Sequence, residues 1–378
     1  MRKPENPFLI SGYHSPDYFC DRKKETTRLL NHIQNGQNVT LTSVRRIGKT
    51  GLIKHLFYNL PEGWKGIYVD ILPTENLQEF LSMLTTAILN TVPEKESLGR
   101  KIWTFVKSMR PIISSDPLTN LPQASFELRQ ADAEMHISSI MQFLENQDFN
   151  IVIAIDEFQQ ITRYPEKNID AWLRSVIQHM THVRFVFSGS QQHIINEMFS
   201  LPSRPFYRST AVLGIEKLEK SEYRDFIAGW FDRHGKSVSG EIIEDMLMWS
   251  CLHTYYVQLI CNRVFATGQK KITDTVWKEE AYKLLKEQEN IFFNYRSMLT
   301  NPQWQLMKAV AHEGVVTAPT SKDFISRYKL GSPSTVLRSL KSLINNELLY
   351  SAFTVEGAVY YSIYDILFRR WTESFPLS

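Results

Sequence analysis

Asn38-Val-Thr-Leu-Thr-Ser-Val-Arg-Arg-Ile-Gly-Lys-Thr50 is the stretch on which the reading of this chain turns. Its first six residues mix β-branched and apolar side chains as a short strand does. From Lys49 the sequence runs Lys-Thr-Gly-Leu-Ile-Lys-His-Leu-Phe, with Leu52, Ile53, Leu56 and Phe57 at the i, i+1, i+4, i+5 spacing of an amphipathic helix. A strand thus enters a loop that opens a helix. Ser43 to Thr50 matches GxxxxGK[ST] everywhere except its first position, where serine replaces glycine. A loop of this spacing turns the backbone N–H groups of Ser43, Val44, Arg45, Arg46, Ile47 and Gly48 toward a phosphate. Lys49 then reaches the terminal phosphates, and the Thr50 hydroxyl suits Mg²⁺ at the positive end of a helix. Adjacent side chains of an extended loop point apart, so at most one of Arg45 and Arg46 faces such a phosphate. Taken alone, the same residues also read as a strand-to-helix connection with Gly48 as the turn and Lys49 solvated.

Ile151-Val-Ile-Ala-Ile-Asp-Glu157 removes most of that ambiguity. Five apolar residues in a row predict a strand buried on both faces, at the centre of a parallel sheet. It ends in two acids. Downstream of a phosphate loop, such a pair places one carboxylate by the metal and one by the attacking water, here Asp156 and Glu157 respectively. A third strand, Val183 to Ser188, emerges into Gly-Ser-Gln-Gln192. Ligands collect at the C-terminal ends of such strands, so Ser188, Ser190 and Gln191 are candidates to sense the γ-phosphate or orient water. A serine-glycine turn capping the next helix is the competing reading for each.

Outward from these motifs, strands at Gly66–Leu72 and Thr210–Ile215 and helices at about 77–90, 131–146 and 169–180 complete an alternation that predicts a doubly wound α/β domain. Residues 93–122, with prolines at 93, 111, 117 and 122, read as an irregular insertion. After Leu218, residues 219–295 read as consecutive helices without a clear strand. From Pro302 the order is three helices and a two-stranded ribbon, Leu348–Phe353 and Ala358–Ile363, the order of a winged helix-turn-helix. Domain boundaries are expected at 1–218, 219–299 and 300–378.

Composition narrows the function class. The 378 residues carry 43 Lys+Arg and 40 Asp+Glu, net +3, which makes no general electrostatic case for nucleic acid. The charge is uneven, with residues 1–60 at net +6 and 61–212 at net −4. Three of the early cations, Arg45, Arg46 and Lys49, belong to the phosphate loop. Cys20, Cys251 and Cys261 show no CxxC or disulfide spacing, and the ten histidines show no HExxH spacing, so a protein metal cage is not expected. No apolar run approaches the roughly 20 residues of a membrane span, and Met1-Arg-Lys-Pro-Glu-Asn-Pro7 lacks the apolar core of a signal peptide. A cytoplasmic protein with no membrane partner is expected.

Several of these motifs together resemble the archaeal-type AAA+ ATPases of the STAND group, which also occur in bacteria: Phe19-Cys-Asp-Arg-Lys-Lys-Glu25 with Leu29-Leu30, the Ser43–Thr50 loop, Asp156-Glu-Phe-Gln159 and Phe187-Ser-Gly-Ser190. The resemblance implies a P-loop AAA+ core with sheet order five-one-four-three-two, then a helical lid and a winged helix. It also implies ATP rather than GTP, and a switch between ADP and ATP forms. Carried over by position, Phe19, Asp21 and Arg22 would approach the adenine and ribose. His253, in Cys251-Leu-His-Thr-Tyr-Tyr-Val-Gln258, would reach the nucleotide or else pack between helices. Arg208, after the fourth strand, would be an arginine finger or a surface arginine without a phosphate contact.

In the last module, Ser332 followed by Pro333 reads as an N-cap with proline at the first helical position. Val336, Leu337, Leu340, Leu343 and Ile344 form the expected core stripe, leaving Arg338 and Lys341 as possible DNA contacts. With a net charge of only +2 over 300–378, docking of a protein partner stands somewhat ahead of DNA. The expectation is an ATP-binding, Mg²⁺-dependent ATP-hydrolysing switch that is able to form oligomers. A DNA-binding ATPase acting as loader or regulator, and a nucleotide-binding scaffold with negligible turnover, are the alternatives.

Overall fold

The computed structural model describes residues 3–20, 22–95, 97–354 and 356–377. They form two compact units, residues 12–216, and residues 1–11 together with 217–378.

The first unit runs α1 (Lys23–Gln34), β1 (Val39–Thr42), α2 (Lys49–Tyr58), β2 (Trp64–Asp70), α3 (Leu77–Thr91), α4 (Ser97–Ser108), β3 (Ile112–Ser115), β4 (Pro122–Ser125), α5 (Gln130–Glu145), β5 (Asn150–Asp156), α6 (Ile169–Ile177), β6 (Val183–Ser188), α7 (Gln192–Ser200) and β7 (Ala211–Gly214). Five strands form one parallel sheet in the order β2-β5-β6-β1-β7. Numbered within the sheet, that is five-one-four-three-two read from the β7 edge. Period-two alternation divides its side chains between two cores. Val39, Leu41, Val152, Ala154 and Val186 pack with α1 and α2. Ile67, Val69, Ile151, Ile153, Ile155, Phe185 and Phe187 pack on the other face with α3, α5 and α6. Burial on both faces explains the unbroken apolar run of β5.

Gly66 on β2 sets how closely α2 approaches. A Cβ there would lie 2.4 Å from Phe57 Cγ, so only glycine lets the ring of this α2 residue rest on the strand. Residues 93–122 are more regular than the sequence suggests: they contain α4 and most of an antiparallel hairpin, β3 paired with β4. Pro111, Pro117 and Pro122 lie beside or at the start of these strands, where a missing N–H costs no ladder bond.

The second unit contains α8 (Lys220–Arg233), β8 (Ser237–Val238), α9 (Gly240–Trp249), α10 (Thr254–Ala266), β9 (Lys271–Ile272), α11 (Asp274–Ser297), α12 (Asn301–Glu313), α13 (Lys322–Tyr328), α14 (Pro333–Asn345), β10 (Leu349–Phe353), β11 (Val359–Ile363) and α15 (Ile366–Glu373). The helical stretch thus includes one short parallel pair, β8 with β9, too brief to leave a periodic signal. Ser332 caps α14 by accepting from Thr335 N, with Pro333 at the first helical position. The stripe of α14 departs from expectation at Leu337, which is 56% exposed. The buried face instead runs through Val336, Ser339, Leu340 and Leu343, and Leu337 lies about 100° away around the helix.

The N-terminal segment completes the helical part of this unit. Phe8 is buried against Phe226 and Phe231 of α8 and Phe265 of α10. Asn6 Nδ2 donates to Asn262 O at 2.9 Å, and Asn262 Nδ2 donates to Phe8 O at 2.7 Å. In the same unit, Arg370 of α15 donates to Trp249 O (2.8 Å) and Met248 O (2.9 Å), which satisfies carbonyls at the C-terminus of α9. Among the described residues, no helix is long and apolar enough to cross a membrane.

Candidate functional site

The expected phosphate loop, the acids after β5 and the serines after β6 meet at the C-terminal edge of the parallel sheet. Asp156 is buried and accepts four hydrogen bonds. Thr50 Oγ1 and Tyr68 OH each donate to Oδ2 at 2.8 Å, Glu157 N donates to Oδ1 at 3.0 Å, and Ser188 Oγ also donates to Oδ1. Glu157 takes the left-handed conformation, φ 57°, which turns its side chain away from the β5 line. Its Oε2 accepts from Gln159 Nε2 (2.5 Å), Ser190 Oγ (2.7 Å) and Ser190 N (3.2 Å). One carboxylate oxygen is thereby tethered by three donors.

Between β1 and α2 the loop carries two left-handed residues, Arg46 at φ 62° and Gly48 at φ 103°. The second leads directly into the first turn of α2, where unpaired backbone N–H groups favour an anion. Lys49 is buried, and its Nζ donates to Ser43 Oγ (3.2 Å) and Val44 O (3.3 Å). Burial lowers its ammonium to about 8, opposed by Asp156 and Glu157 and assisted by Arg45. A buried cation at a helix N-terminus is poised for anionic oxygen. Thr50 and Asp156 offer an alcohol and a carboxylate 2.8 Å apart, hard oxygen donors of the kind that suit Mg²⁺ carried with phosphates.

Arg22 braces this loop from outside. It is buried in the left-handed conformation, bonds Glu25 Oε1 at 2.7 Å and donates to Ile47 O at 3.3 Å. It is thus engaged with the loop backbone rather than held ready for a ribose. Phe19 stacks on His55 with ring centroids 4.4 Å apart and lies edge-on to Tyr13. A Cβ on Gly51 would approach Phe19 Cε2 to 3.2 Å, so the ring sits on the first turn of α2. Tyr13 and His55, whose hydroxyl and Nδ1 are 2.9 Å apart, extend this half-buried aromatic surface. Asp21 lies outside the described residues.

Gln191 accepts from exposed Arg163 at 3.4 Å, whereas Ser188 and Ser190 turn to the acids. Arg208 is exposed, with its guanidinium over the Tyr207 ring at 5.2 Å. In the second unit, His253 is buried, edge-on against Tyr256 at the start of α10. Arg338 and Lys341 are exposed on α14. Sequence reasoning did not anticipate Tyr68, Gln159 or Asp70. Asp70 lies opposite Asp156 in the β2–β5 register, and burial together with the nearby Asp156 and Glu157 pushes its carboxyl upward.

The profile of a family described as an ATPase domain predominantly from Archaea matches residues 19–254, which include every element of this site. The chain belongs to this family. A probable winged helix domain matches residues 290–374, so the archaeal-type P-loop ATPase domain is followed by a winged helix. No curated protein matches the chain. Among solved structures, a Walker-type ATPase of Pyrococcus abyssi is similar at 14% identity and TM-score 0.66, covering 97% of this chain and 99% of its own. An ORC2 protein of Aeropyrum pernix, solved as ADPNP–ADP complexes, is similar at 14% identity and TM-score 0.60, covering 98% and 96%. An ORC1 protein of the same organism, solved in complex with DNA, gives 12% identity and TM-score 0.50, covering 97% and 96%. At such identities the likeness shows a shared fold.

Proposed function

We propose that this protein binds ATP with Mg²⁺ and hydrolyses it, acting as a nucleotide-dependent switch with a winged-helix interaction module in the cytoplasm. The observation that carries the reading is the convergence of buried Lys49, the Thr50–Asp156 pair and tethered Glu157 at the N-terminus of one helix. Lys49 would exchange its bonds to Ser43 and Val44 for terminal phosphate oxygens, and the N–H groups of the loop would hold the rest of the chain of phosphates. Thr50 and Asp156 would hold Mg²⁺, which when bound neutralises charge as the terminal phosphoryl group leaves. Glu157 would accept the proton of the attacking water at Oε1, with Oε2 fixed by Ser190 and Gln159. The half-buried aromatic surface of Tyr13, Phe19 and His55 would border the base. The switch and STAND-type readings rest on the sequence resemblance. The functional parts we assign are the ATPase core up to residue 218, the helical lid 219–299 and the winged helix 300–378; residues 1–11, expected in the core, go instead with the helical part, where Phe8 packs on α8 and α10.

Calorimetry should show Mg²⁺-dependent ATP binding that Lys49→Met abolishes. Glu157→Gln should retain that binding while slowing turnover by about 10²-fold or more. Absence of binding in the wild type would refute the reading, and unchanged turnover in Glu157→Gln would remove its base. A second reading, DNA engagement, is favoured by the exposure of Arg338 and Lys341 on one face of α14 and by the DNA-bound state of the Aeropyrum pernix ORC1 neighbour. It requires DNA affinity that falls with salt and weakens in Arg338→Glu/Lys341→Glu.

A further inference from the structure

Asp156 is more completely held than a metal-side carboxylate needs to be. Among the described residues, four donors hold it, two on each carboxylate oxygen. Two of the donors, Thr50 and Ser188, lie in motifs legible from the sequence, and a third is the backbone N–H of Glu157. The fourth is the phenol of Tyr68, at 2.8 Å from Oδ2, the same oxygen that Thr50 engages.

The position of Tyr68 follows from the pleat of β2. Gly66, Tyr68 and Asp70 alternate onto the side of the strand that faces α2, as Val152, Ala154 and Asp156 do on neighbouring β5. Gly66 admits Phe57 and so seats α2 against the strand. Lys54, one helical turn beyond Thr50, then places its Nζ 3.8 Å from the centre of the Tyr68 ring. A cation over the ring face withdraws electron density from the phenol and strengthens its hydroxyl as a donor. Burial, then the neighbouring Asp156 charge, raises the phenol well above its ordinary range, so it remains a protonated donor at any physiological pH. Lys54 is itself lowered by burial, partly offset by attraction to Asp156.

We propose that Tyr68, seated under Lys54, is a positioning residue that fixes the Asp156 carboxylate on Thr50 for the nucleotide's Mg²⁺. The assignment rests on the ATPase reading above. Two donors on Oδ2 and two on Oδ1 stop the carboxylate from rotating. Without the phenol, Oδ2 keeps one donor and is drawn toward the Lys54 ammonium, away from the Thr50 oxygen. Partners in this outer layer commonly contribute 10–100-fold to metal affinity or activity.

The test is Tyr68→Phe, which retains the ring under Lys54 and removes only the hydroxyl. ATP binding is measured by calorimetry in EDTA and then across a MgCl₂ series. The expected result is unchanged affinity in EDTA with about a tenfold rise in the Mg²⁺ concentration that half-saturates the metal-dependent gain. Lys54→Met, which leaves the hydroxyl in place, should shift the same midpoint by about two- to threefold. A purely structural role for Tyr68 would lower the melting temperature and leave the Mg²⁺ midpoint where it was. A Tyr68→Phe midpoint within twofold of wild type, or below it, overturns the assignment while leaving the ATPase reading intact. Should Tyr68→Phe fail to fold, an unmoved midpoint in Lys54→Met overturns it instead. A wild-type protein without Mg²⁺-dependent ATP binding overturns both.

Discussion

Replacing Lys49 with methionine should stabilise the nucleotide-free protein while removing its ability to bind ATP. Lys49 is 7% exposed, and burial lowers its ammonium from 10.5 to about 8. At about 1.4 kcal/mol per unit, holding the charged form inside the fold at pH 7 costs about 3 kcal/mol. Methionine keeps most of the apolar stem and loses the bonds to Ser43 Oγ and Val44 O, at about 1 kcal/mol each. The balance is a gain of about 1 kcal/mol, equivalent to a melting temperature higher by roughly 2–4 °C in a domain of this size. The unfolded chain keeps this lysine protonated up to about 10.5, whereas the folded chain releases the proton near 8. Between those values the unfolded state binds more protons, so wild-type stability climbs with pH; below them the full penalty remains. Lys49→Met lacks that increment, and its advantage should shrink from pH 8 toward pH 10.5. Urea unfolding of both proteins at pH 7, 8, 9 and 10 measures the difference. A variant less stable at pH 7 by more than the two lost bonds, or a gap constant across the series, would refute the account.

Two further outcomes follow from packing. Gly66→Ala places a methyl group 2.4 Å from the Phe57 ring and should destabilise the ATPase unit by about 1–3 kcal/mol, with a lower urea midpoint and weaker nucleotide binding as α2 is pushed off β2; an unchanged midpoint contradicts the close approach. Phe8→Ala should cost about 3–5 kcal/mol of unfolding free energy because it empties the ring cluster of Phe226, Phe231 and Phe265; a loss below 1 kcal/mol would show that the N-terminal segment adds nothing to that core.

The sheet and the centre of its site were legible because their signals are local. Glycine, lysine and threonine at fixed spacing mark the loop, and an apolar run ending in two acids marks β5. Tyr68 left no such mark, since an aromatic residue in an apolar strand reads as core. Its hydroxyl acquires a role only when the β2–β5 register brings it beside Asp156. Gln159 was hidden for a similar reason, because only the left-handed turn at Glu157 folds the two side chains together. The β3–β4 hairpin was missed because Ile112–Ser115 is exposed throughout and shows no alternation. Leu337 was misplaced because two adjacent apolar residues, Val336 and Leu337, leave the rotational phase of a helix open by one position.

The burial of Phe8 among α8 and α10 has a consequence for synthesis. The Phe8 carbonyl and its Asn262 partner are separated by 254 residues, and nearly all of the ATPase unit is made between them. At about 5–20 residues per second, the Asn6–Phe8 segment waits on the order of 10–50 s before its binding partner exists. During that interval an exposed Asn-Pro-Phe-Leu segment trails from a nascent chain whose P-loop unit is free to fold. The ATPase unit is therefore expected to form first and independently, and the helical unit to close last, around a segment made before the ATPase unit.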